Sequence, residues 1–211
     1  MTDDLVAALR AAGCVFAEDE ARLLREQART PEELARLLRR RVGGEPLEHV
    51  LGWAEFDGLR VPVAPGVFVP RRRTRLLVDE AVAMLEQLPA PVVVDVCCGS
   101  GAVAAALAAR LAGRHAELHA ADVDPAAVRA ARETLAGVAS VHAGDLLDAL
   151  PGRLRAGVDV IVASPPYVPS DAVRLMPPEA RDHEPRTALD GGRDGLDVVR
   201  RLAATAPAWL R

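Results

Sequence analysis

Val92-Val93-Val94-Asp95-Val96-Cys97-Cys98-Gly99-Ser100-Gly101 combines three signals in ten residues. A short β-branched run fits a strand buried on both faces, an acidic residue lies inside it, and a glycine turn follows. Downstream, Ala102 to Leu111 is an alanine-rich helix and Glu117 to Ala121 a second strand. A helix from Pro125 to Leu135 comes next, then short strands near Val138 to Val141 and Val158 to Ala163. Strand and helix alternate, so the expectation is an α/β fold with an open parallel sheet of Rossmann-like type.

The 43 residues at the start read differently. Leu5, Leu9, Leu23, Leu24, Leu34, Leu37 and Leu38 recur at helical spacing, which predicts an appendage of two or three helices over residues 1–43. Thr30-Pro31-Glu32-Glu33 is a helix start, with Thr30 as N-cap and Glu33 placed to close a capping box. Residues 44–73 are a bridging hairpin or linker, alternating around Leu59, Val61, Val63, Val67 and Val69. The α/β domain is expected over 74–211, beginning with an amphipathic helix from Thr74 to Leu88.

Composition narrows the function classes. Half the residues are hydrophobic and 27% charged, as in a folded globular chain rather than a disordered one. The net charge of -4 argues against a surface built throughout to grip nucleic acid or an anionic membrane. No apolar run is long enough to span a bilayer. Every one of the 26 basic residues is arginine, which excludes a Schiff-base lysine. The cysteines Cys14, Cys97 and Cys98 are odd in number and two are adjacent, so a cytoplasmic, reducing setting is expected rather than a disulfide scaffold. His115, His119, His142 and His183 show no metal-ligand spacing, and no metal is expected.

In open α/β sheets ligands bind beyond the carboxyl ends of the strands. Asp95 sits where the pyrophosphate of a dinucleotide would approach, and a carboxylate repels phosphate. A ligand with an ammonium and no phosphate fits better, and S-adenosylmethionine is one. Asp95 is then expected to meet the ammonium, with Gly99 and Gly101 allowing close backbone approach in the turn that also holds Cys97. Asp122, ending the second strand, suits a ribose diol, while Asp124 before Pro125 suits a helix cap. Asp145 can accept from an adenine amine, and the Leu146 N–H can donate to a ring nitrogen. Packing turns and helix caps are the bland alternatives at each of these positions.

The fourth strand ends in Ser164-Pro165-Pro166-Tyr167. Prolines cannot donate, so their carbonyls are left as acceptors; Ser164 adds another, and Tyr167 a flat face. Together they match a planar amine or amide nitrogen, and catalysis there needs positioning rather than a strong base.

With these strand ends the chain resembles the HemK/PrmC family, the protein-(glutamine-N5) methyltransferases, and within it a PrmC-related subgroup. The likeness includes Gly44-Glu45-Pro46-Leu47, Phe68-Val69-Pro70-Arg71-Arg72-Arg73-Thr74, Glu184-Pro185-Arg186-Thr187-Ala188-Leu189 and Asp194-Gly195-Leu196-Asp197. It implies a class I S-adenosylmethionine-dependent methyltransferase. The implied acceptor is the side-chain amide of a glutamine in a protein, in the best-known members a peptide-chain release factor. The appendage would then dock the partner. Ser164 stands where the family has Asn, and Cys97 and Cys98 where it has Gly and Thr. Arg73 and Arg75 replace acidic residues, and the run Arg71, Arg72, Arg73, Arg75 reads as a solvated helix start.

Ser-Pro-Pro-Tyr also occurs in exocyclic-amine DNA methyltransferases, so methylation of DNA or RNA is an alternative, disfavoured by the acidic balance. A truncated cofactor-binding module is another. The chain stops at Trp209-Leu210-Arg211, where the family continues into further strands, so the sheet is expected to lack its C-terminal strands and leave the fourth with an open edge. Oligomeric state is not legible.

Overall fold

The computed structural model describes residues 2–211. Four parallel strands form the central sheet: β3 (Val92–Val96), β4 (Glu117–Asp122), β5 (Ser140–Ala143) and β6 (Val160–Ala163), in the order β5-β4-β3-β6. The preceding β1 (Trp53–Phe56) and β2 (Leu59–Pro62) form a separate antiparallel hairpin. Its two-residue loop, Asp57-Gly58, has φ of +49° and +79°, matching the twist of a tight hairpin.

Alternation along β3 divides the core. Val93 faces a cluster with Val78, Leu85, Leu107 and Phe56, from α5 (Arg75–Leu85), α6 (Ala102–Arg110) and the hairpin. Val92, Val94 and Val96 face the opposite cluster, with Leu147, Leu154, Val158 and Trp209. The period of two puts Asp95 on the Val93 side, against the start of α6. A further helix, α7 (Pro125–Thr134), is capped by Asp124, whose carboxylate accepts from Ala126 N at 2.7 Å.

Residues 2–43 hold three helices, within the expected two or three, α1 (Thr2–Ala11), α2 (Ala17–Gln27) and α3 (Pro31–Val42), and a fourth, α4 (Leu47–Leu51), stands in the stretch expected to be a hairpin or linker. The fourth is a single turn whose Val50 and Leu51 join the same cluster as Leu9 and Leu24. It is too short for periodicity to reveal. Thr30 accepts from Glu33 N at 3.2 Å, but the Glu33 carboxylate accepts from Arg29 N at 2.9 Å, one residue earlier than a capping box requires.

After β6 the chain adds α8 (Pro178–His183), α9 (Arg186–Leu189) and α10 (Asp197–Thr205). The expected open edge is partly covered: Val158 N donates to Trp209 O at 3.0 Å, and Arg211 N to Val158 O at 3.1 Å, in parallel register at the start of β6. Trp209 is buried beneath this contact. Among the described residues no helix is long and apolar enough to cross a membrane, and no group of three potential ligands could hold a metal ion.

Candidate active site

The order β5-β4-β3-β6 reverses direction between β3 and β6, and the main cleft opens at the carboxyl ends of these strands. It encloses about 810 Å³, open to solvent, and its lining includes Cys97, Gly99, Asp122, Asp145, Leu146, Ser164 and Pro166. A smaller cleft of about 370 Å³ holds Asp95, Cys98, Ser100, Pro70, Arg71 and Thr74. Phe68, Cys97, Gly99 and Ser164 line both, so the two adjoin.

The turn after β3 is set by backbone sign. Cys97 has φ +58° and Gly99 +55°, which brings successive N–H groups toward β4. Cys98 N donates to Ala121 O at 3.1 Å, and Gly99 N to Asp122 Oδ2 at 2.9 Å. Asp124 N donates to Asp122 Oδ1 at 2.9 Å. Asp122 is thus pinned between two strand-end turns, with a lone pair remaining on each oxygen. Burial raises its pKa, against the lowering effect of those N–H groups.

Asp95 is buried, accepts from Ala104 N at 3.1 Å, and has its pKa pushed up to about 7 by burial. Among the described residues no cationic side chain forms an ion pair with Asp95 or Asp122. An acidic, under-neutralised cleft suits a cation. Burial pushes the Cys97 thiol up to about 12 and the Cys98 thiol higher still, so neither is a thiolate nucleophile.

Gly101 lines neither cleft. Its φ is +80°, and a Cβ would stand 3.0 Å from Leu135 Cδ1 and 3.3 Å from Ala131 Cα, so the glycine serves packing of α6 on α7. Within Ser164–Tyr167, only Ser164 and Pro166 line the clefts; Pro165 and Tyr167 do not. Tyr167 is 49% exposed, and its hydroxyl accepts from the Arg73 guanidinium.

Several site residues were missed by sequence reasoning. Arg201 of α10 lines the main cleft and pairs with Asp145. Phe68 and Val123 supply apolar wall, the latter 62% exposed. Buried Glu184 accepts from Val69 N at 3.2 Å and from Arg71 Nη2 at 2.6 Å, tying the Phe68–Thr74 segment down over the smaller cleft. Gly191 supports the Ser164 turn from outside: a Cβ there would lie 2.7 Å from Pro166 O and 2.8 Å from Tyr167 Cα. Gly191 and Glu184 fall in or beside sequence blocks singled out for family likeness; nothing local marked Arg201. The arginine run is also more engaged than a solvated helix start, since Arg71, Arg73 and Arg75 each contact another segment.

The sheet order and the paired clefts define a class I methyltransferase domain, and residues 59–178 match the family described as "Methyltransferase small domain". More narrowly, the chain belongs to the HemK/PrmC family: it is 42% identical to the release factor glutamine methyltransferase of Mycolicibacterium smegmatis, over 92% of this chain and 69% of that protein. The enzyme of the same name from Streptomyces coelicolor is 41% identical, over 82% of this chain and 61% of its own length. A third relative, 39% identical over 85% of this chain and 63% of its own, is the "4-amino-L-phenylalanine/4-methylamino-L-phenylalanine methyltransferase" of Streptomyces pristinaespiralis. The chain therefore spans between about three fifths and seven tenths of these curated relatives. In fold it is similar to the human Mettl16 catalytic domain, with TM-score 0.54 and 15% identity over 81% of this chain and 63% of that one.

Proposed function

We propose that the protein is an S-adenosylmethionine-dependent N-methyltransferase. Its acceptor is the side-chain amide nitrogen of a glutamine in a protein, a peptide-chain release factor, and it works in the cytoplasm. The observation that carries this reading is the junction of the two clefts at Gly99 and Ser164, with Asp122 lining one and Asp95 the other. The identity to release factor glutamine methyltransferases supports the acceptor class.

The residues fit the cofactor. Asp95 and Asp122 are carboxylates with remaining acceptor capacity and, among the described residues, no cation paired with them, which an ammonium and a ribose diol satisfy. Asp145 and the Leu146 N–H take the adenine, between the apolar walls of Phe68 and Val123. When bound, S-adenosylmethionine supplies an electrophilic methyl group on a sulfonium. Ser164 and a backbone carbonyl of its turn accept hydrogen bonds from the acceptor's N–H groups, which localises the nitrogen lone pair and aims it. Tyr167 presents its ring to the amide plane from the rim. The turn contains no strong base, so the proton lost from nitrogen passes to solvent.

The test is incubation with methyl-labelled cofactor and a release factor, followed by peptide mass spectrometry. A methyl group on a glutamine side chain is expected. Label found on RNA or DNA and never on protein would overturn the acceptor.

A further inference from the structure

Four arginines crowd the segment that closes the smaller cleft, and three are accounted for. Arg71 is held 2.6 Å from Glu184, and Arg75 lies 3.2 Å from Asp57. Arg72 is 90% exposed, 3.9 Å from Glu55. Arg73 differs. Among the described residues no carboxylate pairs with it, and its guanidinium donates to the Tyr167 hydroxyl while lying 5.8 Å from that ring's centroid.

Position gives this contact meaning. Pro70, Arg71 and Thr74, on either side of Arg73, line the smaller cleft, as does Ser164, three residues before Tyr167. The Arg73–Tyr167 contact therefore joins the two segments between which the acceptor enters under the proposed function. A guanidinium has five N–H donors in a planar fork, and the Tyr167 oxygen engages only part of it. What remains is an exposed positive fork beside the acceptor's entrance, of the shape that pairs with a carboxylate. Its neighbours along the chain have carboxylate partners of their own, Arg71 with Glu184 and Arg72 with Glu55.

We propose that Arg73 is a specificity-determining residue, selecting acceptors that carry a carboxylate close to the nitrogen to be methylated. The proposal rests on the methyltransferase reading above and names the acceptor's chemistry more narrowly. The carboxylate has two sources, an acidic side chain beside a target glutamine or the α-carboxylate of a free amino acid, and recognition by the fork is the same for both.

The experiment is calorimetric titration of the full chain, first with S-adenosylhomocysteine and then, at saturation, with two pairs of probes. One pair is an acetylated pentapeptide with central glutamine, flanked either by glutamate or by a neutral glutamine. The other is 4-amino-L-phenylalanine and its carboxamide. In at least one pair the carboxylate member is expected to bind roughly tenfold more tightly, the scale of one charge-assisted hydrogen bond. Arg73→Gln is expected to erase that ratio and Arg73→Lys, which keeps the charge but not the planar fork, to retain only part of it, with circular dichroism confirming that both variants fold. A response confined to the peptides assigns the carboxylate to a protein, and one confined to the amino acid assigns it to a small molecule and overturns the protein acceptor proposed above. Equal affinity within both pairs, no binding of any probe, or a ratio that survives in Arg73→Gln overturns the proposal. Failure of the wild type to bind S-adenosylhomocysteine overturns the methyltransferase reading itself, and the proposal with it.

Discussion

Asp95 and Asp122 carry the electrostatic argument, because the first is a buried and the second a half-buried carboxyl group, each held by backbone N–H donors and, among the described residues, left without a cation. Asp95→Ala and Asp122→Ala are each expected to weaken S-adenosylhomocysteine binding by roughly 1–3 kcal/mol, the range for losing a buried charge-assisted hydrogen bond. Calorimetry measures it, and unchanged affinity in both would remove these residues from the site. Asp95 also gives a pH signature. Its folded pKa, near 7, lies above the ordinary carboxylate value, so the folded state holds a proton that the unfolded state releases. The stability this contributes is present below about pH 4 and is lost as the pH climbs to about 7. In the ligand-free protein, Asp95→Asn should therefore gain in melting temperature relative to wild type between those limits; a constant difference would contradict the assignment. Tyr167 has the opposite profile, since it lines neither cleft. Tyr167→Ala is expected to lower kcat while leaving the S-adenosylhomocysteine Kd essentially intact, and loss of cofactor binding in a folded variant would overturn that division of roles.

Among the elements, two glycines separate packing from catalysis. Gly101→Ala forces a side chain into φ +80° and against Leu135, and should cost roughly 1–2 kcal/mol of stability, read from denaturant unfolding. Gly191→Ala instead presses on Pro166 O and Tyr167 Cα, so it should displace the Ser164–Tyr167 turn and depress turnover more than stability. The parallel sheet was legible because β3, β4 and β6 are short apolar runs separated by helix-length segments. The cleft was legible because the polar residues that interrupt this pattern cluster at strand ends. What stayed hidden was non-local or too brief to show a period. The single turn α4 is one case, and Gly101, which reads as a glycine allowing close backbone approach to the cofactor but packs two helices, is another. Asp145 was identified at its strand end, whereas its partner Arg201 lies 56 residues away on an element with no marking of its own.

For the whole molecule, one buried ion network ties the helical region to the segment after the sheet. Arg41 of α3 donates from Nε to Glu20 at 2.6 Å and from Nη1 to Glu179 of α8 at 2.6 Å. With Arg41 and Glu20 both buried, Arg41→Met should cost roughly 3 kcal/mol, because Glu20 is left without its cation; double mutation with Glu20→Leu should recover part of the loss. No pattern in the sequence reveals this link, since its partners are 21 and 138 residues apart. The Glu184–Arg71 pair fixes the Phe68–Thr74 segment over the smaller cleft, which under the proposed function is the condition for methyl donor and acceptor nitrogen to meet. The most direct test of that condition is a crystal structure of the chain grown with S-adenosylhomocysteine. Density with the ribose on Asp122, the amino group toward Asp95 and the sulfur facing Ser164 is the expected result. A ligand bound elsewhere, or bound in the main cleft with its sulfur turned away from Ser164, would contradict the account.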